Sequence, residues 1–206
     1  MLVVWGRKNS VIVQKVLWCC EEIGLEYERK EAGGAFGVVN TPEYRSINPN
    51  RLVPTIDDDG VVLWESNAVV RYLAAKYGAG GLWPDDLATR ADADRWMDWQ
   101  QTTLWPALRP VFFGLIRTPP EQRDARAIEE SRLKTADLLG ILDYYLASRA
   151  FVAGDVFTMG DIPLGCAIWR WMALPIERPA RPNVQRWFDA LSQRSAFKSA
   201  VMLPLT

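Results

Sequence analysis

Three short segments in the first seventy residues carry groups suited to holding a small charged molecule. The first is Arg7-Lys8-Asn9-Ser10, a turn between the apolar run Leu2-Val3-Val4-Trp5 and a helix that begins at Val11. A helix N-terminus presents unpaired N–H groups and a partial positive charge, so it holds anions and lowers the pKa of a thiol placed there. A shift of two pKa units corresponds to about 2.7 kcal/mol. The Ser10 hydroxyl or the Asn9 amide would add a hydrogen bond, although both residues also serve as plain helix caps. The second segment is Arg51-Leu52-Val53-Pro54-Thr55. A Val-Pro bond before a short strand admits the cis form, which frees the preceding backbone N–H and C=O to pair with an extended peptide. Its plainer reading is a strand-entry proline. The third is Glu65-Ser66-Asn67, at a strand-to-helix junction. Ser66 offers a hydroxyl and a backbone N–H to a carboxylate, and Glu65 suits an ammonium. Alone, it reads as a helix cap beside a solvated acid.

The 206-residue chain contains no histidine, which excludes Ser-His-Asp and Cys-His nucleophilic machinery and any His-ligated metal site. Three cysteines, Cys19, Cys20 and Cys166, lack metal-ligand spacing and suggest no disulfide framework. A net charge of −1 gives no global attraction to nucleic acid or anionic membrane. With no signal-peptide pattern and no apolar run long enough to span a bilayer, a cytoplasmic location is expected.

The elements that must position these segments follow from periodicity. Leu2–Trp5 reads as a strand, Val11 to about Glu22 as a helix, and Glu26 to Lys30 as a second strand, a βαβ unit with parallel strands. A helical turn is expected near Pro42-Glu43-Tyr44. A hairpin follows around Asp57-Asp58-Asp59-Gly60, then a helix from Ser66 to Tyr77. Gly78 to Pro84 reads as a linker, dividing residues 1–78 from an all-helical part, 85–206. There Thr89 should cap a long helix to about Ile116, bent by Pro106 and Pro110. Glu121 to Ser148 is helical. Thr158-Met159-Gly160-Asp161 forms a capping box flanked by Phe157 and Ile162, and Asn183 should cap a last substantial helix. Trp105, Phe112 and Phe113 are candidates for an apolar pocket between the two parts, or for the core.

Together the three segments resemble the glutathione S-transferase family, its bacterial, serine-type and theta-like branch. The similarity runs through Asn48-Pro49-Asn50-Arg51-Leu52-Val53-Pro54 and Glu65-Ser66-Asn67-Ala68-Val69-Val70-Arg71-Tyr72-Leu73. It continues in Trp96-Met97-Asp98-Trp99-Gln100, Arg117-Thr118-Pro119-Pro120-Glu121, Phe151-Val152-Ala153-Gly154-Asp155 and Phe157-Thr158-Met159-Gly160-Asp161-Ile162, so it covers essentially the whole chain. The resemblance implies an α/β thioredoxin-like N-terminal domain plus an all-α helical-bundle C-terminal domain, a two-fold homodimer, and glutathione as co-substrate with no metal. By the same analogy Val53 pairs through its backbone with the cysteinyl part of glutathione, before cis-Pro54. Glu65 and Ser66 hold the γ-glutamyl end, and Arg51 meets the glycyl carboxylate. The implied activity is transfer of the glutathione thiolate to an apolar electrophile, a detoxifying conjugation. An isomerase or dehalogenase on the same scaffold, or a non-catalytic binding protein, are the other readings.

The chain departs from the family at the catalytic turn. Serine-type relatives carry their thiolate-stabilising serine four residues before the basic residue of the first helix, here Lys15, and that position is Val11. Related bacterial sequences have asparagine where this one has Ile12. No cysteine stands in the turn, which disfavours the branches that form mixed disulfides. Ser10 is therefore the expected thiolate donor, with Asn9 second.

Overall fold

A computed structural model describes residues 1–206. Its first part orders as β1 (Leu2–Trp5), α1 (Val11–Glu22), β2 (Tyr27–Lys30), α2 (Pro42–Ile47), β3 (Thr55–Asp58), β4 (Val61–Trp64) and α3 (Ser66–Tyr77). The four strands form one sheet in the order β2-β1-β3-β4. β1 and β2 are parallel, as a βαβ crossover requires, and β3 pairs antiparallel with both β1 and β4. Centring β1 places its C-terminal end, and the turn that follows it, beside the chain entering β3. The register Trp5 opposite Thr55 brings Ser10 and Val53 into one neighbourhood.

Seven helices follow: α4 (Leu87–Trp99), α5 (Trp105–Ile116), α6 (Ala125–Leu146), α7 (Asp161–Ala173), α8 (Pro182–Ser192) and α9 (Ser195–Ala200), with a π-helical segment, Gln100–Leu104, joining the first two as the seventh. The expected bend between α4 and α5 thus takes the form of a widened turn just ahead of Pro106, a residue with no N–H to donate. Two caps differ from the sequence reading. Asp86, not Thr89, caps α4, accepting from the Thr89 N–H at 2.8 Å. At α8 the cap is supplied from outside: Asp143 of α6 accepts from the Asn183 and Val184 N–H groups at 2.8 and 3.0 Å. A carboxylate from a distant helix has no signature next to the helix it caps.

The capping box forms one turn ahead of α7. Asp161 Oδ2 accepts from the Thr158 N–H at 2.9 Å, and Thr158 Oγ1 accepts from the Gly160 N–H at 3.3 Å. Asp161 is fully buried and also accepts from the Val152 N–H and Trp187 Nε1, at 3.0 and 2.8 Å. One carboxylate therefore ties a loop, a helix start and α8 together. Burial pushes its pKa up to about 6, against the opposing pull of these donors.

α1 is buried along almost its whole circumference from Val13 to Cys20, because α3, α7 and α9 all pack against it. Gly165 permits the α7 approach: a Cβ there would lie 2.7 Å from the Trp18 ring. The buried apolar side chains of both parts join in one continuous core. No helix is long and apolar enough to cross a membrane.

Candidate functional site

Ser10 occupies the N-cap position of α1 with extended backbone, but its side chain makes no capping bond. The first N–H of the helix to find a helical acceptor is that of Gln14, which bonds the Ser10 carbonyl at 2.8 Å. The N–H groups of Val11, Ile12 and Val13, and the hydroxyl of Ser10, remain free for a ligand. Asn9 is placed differently. Its amide donates to Thr206 Oγ1 and its carbonyl accepts from Arg170, and it is not part of the cavity wall that Ser10 joins. Asn9, expected as the second thiolate donor, thus lies beside the cavity that Ser10 joins rather than in its wall.

The bond between Val53 and Pro54 is cis. α2 braces this turn: Tyr44 Oη donates to the Leu52 carbonyl at 2.6 Å, and Asn48 Nδ2 donates to the same oxygen and to Thr55 Oγ1, each at 2.9 Å. This explains the Asn48-Pro49 part of the motif, since Asn48 is the buried clamp on the segment. The Val53 N–H and C=O take no partner within the chain. Arg51, one residue upstream of Leu52, has positive φ at 57° and its exposed side chain joins the same cavity.

Glu65 also has positive φ, 71°, an unusual conformation for a residue with a Cβ. It ends β4 abruptly and directs α3 so that its first residue, buried Ser66, faces a small cavity of about 130 Å³. Glu65, the N-cap residue of α3, makes no side-chain capping bond. The cavity floor holds Lys15, which sequence reading used only as an alignment landmark. Its Nζ donates to Asn67 Oδ1 at 3.0 Å and to Gln100 Oε1 at 2.9 Å, so it joins α1, α3 and the π segment. Burial pulls its pKa down to about 8, while Glu65 pulls it back toward the charged form.

A second cavity, of about 460 Å³, adjoins the first and shares Val11, Ile12 and Trp105 with it. Ser10, Arg51, Val53, Trp105, Phe112 and Phe113, six of the residues singled out from the sequence, line it. Pro54 lies buried behind Val53. Arg7, Arg109 and Arg117 line it too; sequence reading named Arg7 only as part of the first turn and Arg117 only within a motif, and did not single out Arg109. A signal for two of them exists: Trp105, Arg109, Phe113 and Arg117 recur every four residues, so they share one stripe of α5 and its end.

Two family models match, "Glutathione S-transferase, N-terminal domain" over residues 9–76 and "Glutathione S-transferase, C-terminal domain" over residues 104–195. A curated relative, glutathione S-transferase GstB of Escherichia coli, is 44% identical over the full length of both chains. The chain is a glutathione S-transferase family member. A maize relative in the family, glutathione S-transferase 3, is 30% identical, covering 99% of this chain and 95% of its own. Among solved structures, the theta-class glutathione S-transferase of Xanthomonas axonopodis pv. citri, crystallised with glutathione bound, superposes with a TM-score of 0.96. It is 47% identical and covers 100% of this chain and 99% of its own. The fold expected from the resemblance, a thioredoxin-like α/β part followed by an all-α part, is that of this transferase. Val11 and Ile12 bring apolar side chains to both cavities of the transferase, leaving Ser10 as the hydroxyl at the start of α1.

Proposed function

We propose that the protein binds glutathione across the two adjoining cavities and transfers its thiolate to an electrophile. The observation that carries this reading is the convergence of two uncommitted helix starts and one uncommitted backbone edge on a single cleft. The γ-glutamyl end enters the small cavity, its carboxylate on Ser66 and the N-terminus of α3, its ammonium facing Glu65. The cysteinyl residue pairs with the Val53 backbone as an added strand, and Arg51 receives the glycyl carboxylate. The sulfur then lies at the N-terminus of α1. There the Ser10 hydroxyl and the free N–H groups stabilise the thiolate, and the guanidiniums around the cavity add a positive field. Trp105, Phe112 and Phe113 form the apolar wall against which the acceptor rests. Rate enhancement comes from a lowered thiol pKa and from proximity, and needs no covalent protein intermediate.

Conjugation of glutathione to 1-chloro-2,4-dinitrobenzene, followed by absorbance, tests the reading. A rate well above the uncatalysed one, saturable in glutathione and weakened at least tenfold in glutathione KM by Ser66→Ala with Arg51→Met, is the expected result. A rate equal to the uncatalysed reaction, with no uptake of glutathione, would overturn it. The family resemblance also supports a homodimer, and a purely monomeric sedimentation profile at micromolar concentration would count against that part.

A further inference from the structure

The larger cavity carries more positive charge than glutathione can use. Four arginines line it, Arg7, Arg51, Arg109 and Arg117, and no aspartate or glutamate does. None of the four forms an ion pair with an acidic side chain anywhere in the chain. On the proposed binding mode, Arg51 meets the glycyl carboxylate and the thiolate supplies one further negative charge. Three guanidiniums facing one thiolate leave positive charge that no acidic side chain balances.

Their placement is specific. The Arg109 and Arg117 guanidiniums both lie 4.4 Å from the centre of the Phe113 ring, so these two exposed cations rest against the apolar wall. Arg117 Nε donates to the Thr206 carbonyl at 3.2 Å, which leaves its two terminal nitrogens as a free fork. Arg7 packs against the loop after β2. Its Nε is buried without a partner, and a Cβ on Gly34, where φ is +59°, would come within 3.1 Å of it. Behind the wall, buried Arg170 lies 5.7 Å from the centre of the Phe112 ring.

We propose that the acceptor electrophile bears a carboxylate on a planar or aromatic body, received by Arg109 and Arg117 with Arg7, while Trp105, Phe112 and Phe113 hold the ring. This names the substrate class of the glutathione site and rests on that reading. Mutual repulsion gives the cluster a reason to take an anion: Arg7 and Arg109 join burial in holding the Arg117 pKa below its ordinary value. Because Arg109 and Arg117 are exposed, the preference should weaken as ionic strength rises.

The test uses a matched pair, 4-chloro-3-nitrobenzoate and 4-chloro-3-nitrobenzamide. In each the thiolate sulfur bonds to the carbon bearing chlorine, and chloride departs with the electron pair of the broken C–Cl bond. Each rate is divided by its uncatalysed rate, and calorimetry measures the affinity of each purified S-aryl glutathione product. The expected result is a carboxylate preference of at least tenfold in corrected kcat/KM and in product affinity, falling to within about threefold in Arg109→Met with Arg117→Met. Restoration of part of the preference by Arg109→Lys with Arg117→Lys would show that charge, rather than shape, carries it. Equal affinity for the two products, or a preference for the amide, would overturn the proposal while leaving glutathione transfer standing. Failure of glutathione and both products to bind would overturn the site reading and the acceptor class together.

Discussion

Ser10→Ala separates a hydroxyl that stabilises a sulfur anion from one that stabilises a helix. The Ser10 side chain makes no capping bond, so its removal should change folding stability by less than about 0.5 kcal/mol, rather than the ~1 kcal/mol of a lost cap. A hydrogen bond to a charged group contributes about 1.5–3 kcal/mol. At about 1.4 kcal/mol per pKa unit, the thiol of bound glutathione should rise by roughly one to two units. The shift should be incomplete, because the α1 N–H groups and the arginines remain. A unit charge ~6 Å away at an effective dielectric constant near 20 contributes about 3 kcal/mol. Thiolate absorbance near 240 nm, followed across pH in the enzyme–glutathione complex, gives this pKa directly. The pH profile of kcat/KM should move by the same amount, costing roughly ten- to a hundredfold in rate on its acidic side and little above the new pKa. Asn9→Ala, which alters a contact with Thr206, should leave the thiol pKa in place. An unmoved pKa in Ser10→Ala would refute the assignment. So would a loss of stability of a full capping bond with an unaltered pH profile.

Other parts of the structure carry their own tests. Lys15 has a pKa drawn down to about 8 by burial, below its unfolded value of 10.5. Below pH 8 both states are charged and the folded state bears the full cost of burying the ammonium. Between pH 8 and 10.5 the unfolded chain binds more protons, so stability rises with pH. Denaturant unfolding should show the wild type gaining up to about 3 kcal/mol relative to Lys15→Met across that window, and a flat difference would contradict it. Asp161→Ala strands the buried donors of Val152, Thr158 and Trp187 and should cost about 3–5 kcal/mol in the same experiment. Gly34→Ala should cost about 1 kcal/mol for its positive φ and push Arg7 aside, lowering turnover of the carboxylate acceptor more than that of the amide.

Much of the sheet-side wall of the candidate site was legible in the sequence because it is made by local rules. A Val-Pro bond before a strand, a serine at the start of α3 and a turn between β1 and α1 each announce their geometry within five residues. Lys15 was less legible. A lysine amid Val13, Val16 and Leu17 gives no sign of being enclosed until α3 and the π segment supply Asn67 and Gln100. The arginine cluster was hidden for two reasons. Arg7 and Arg117 are remote in sequence, and arginines interleaved with aromatic residues on a helix look like its solvated face. The spacing of Trp105, Arg109, Phe113 and Arg117 placed them on one stripe, but only the fold turns that stripe toward Ser10 and Val53. The contact of the Asn9 amide with Thr206 joins residues far apart in the sequence, so no local pattern announces it.

The central claim is that one glutathione fills the paired cavities with its sulfur ionised against α1. Calorimetric titration of the wild-type protein with glutathione at pH 7.5, repeated in buffers of different ionisation enthalpy, measures occupancy and proton release together. The account predicts one saturable site per chain and release of most of a proton on binding, falling sharply in Ser10→Ala. Binding without proton release would contradict thiolate stabilisation, and no binding at millimolar glutathione would contradict the site itself.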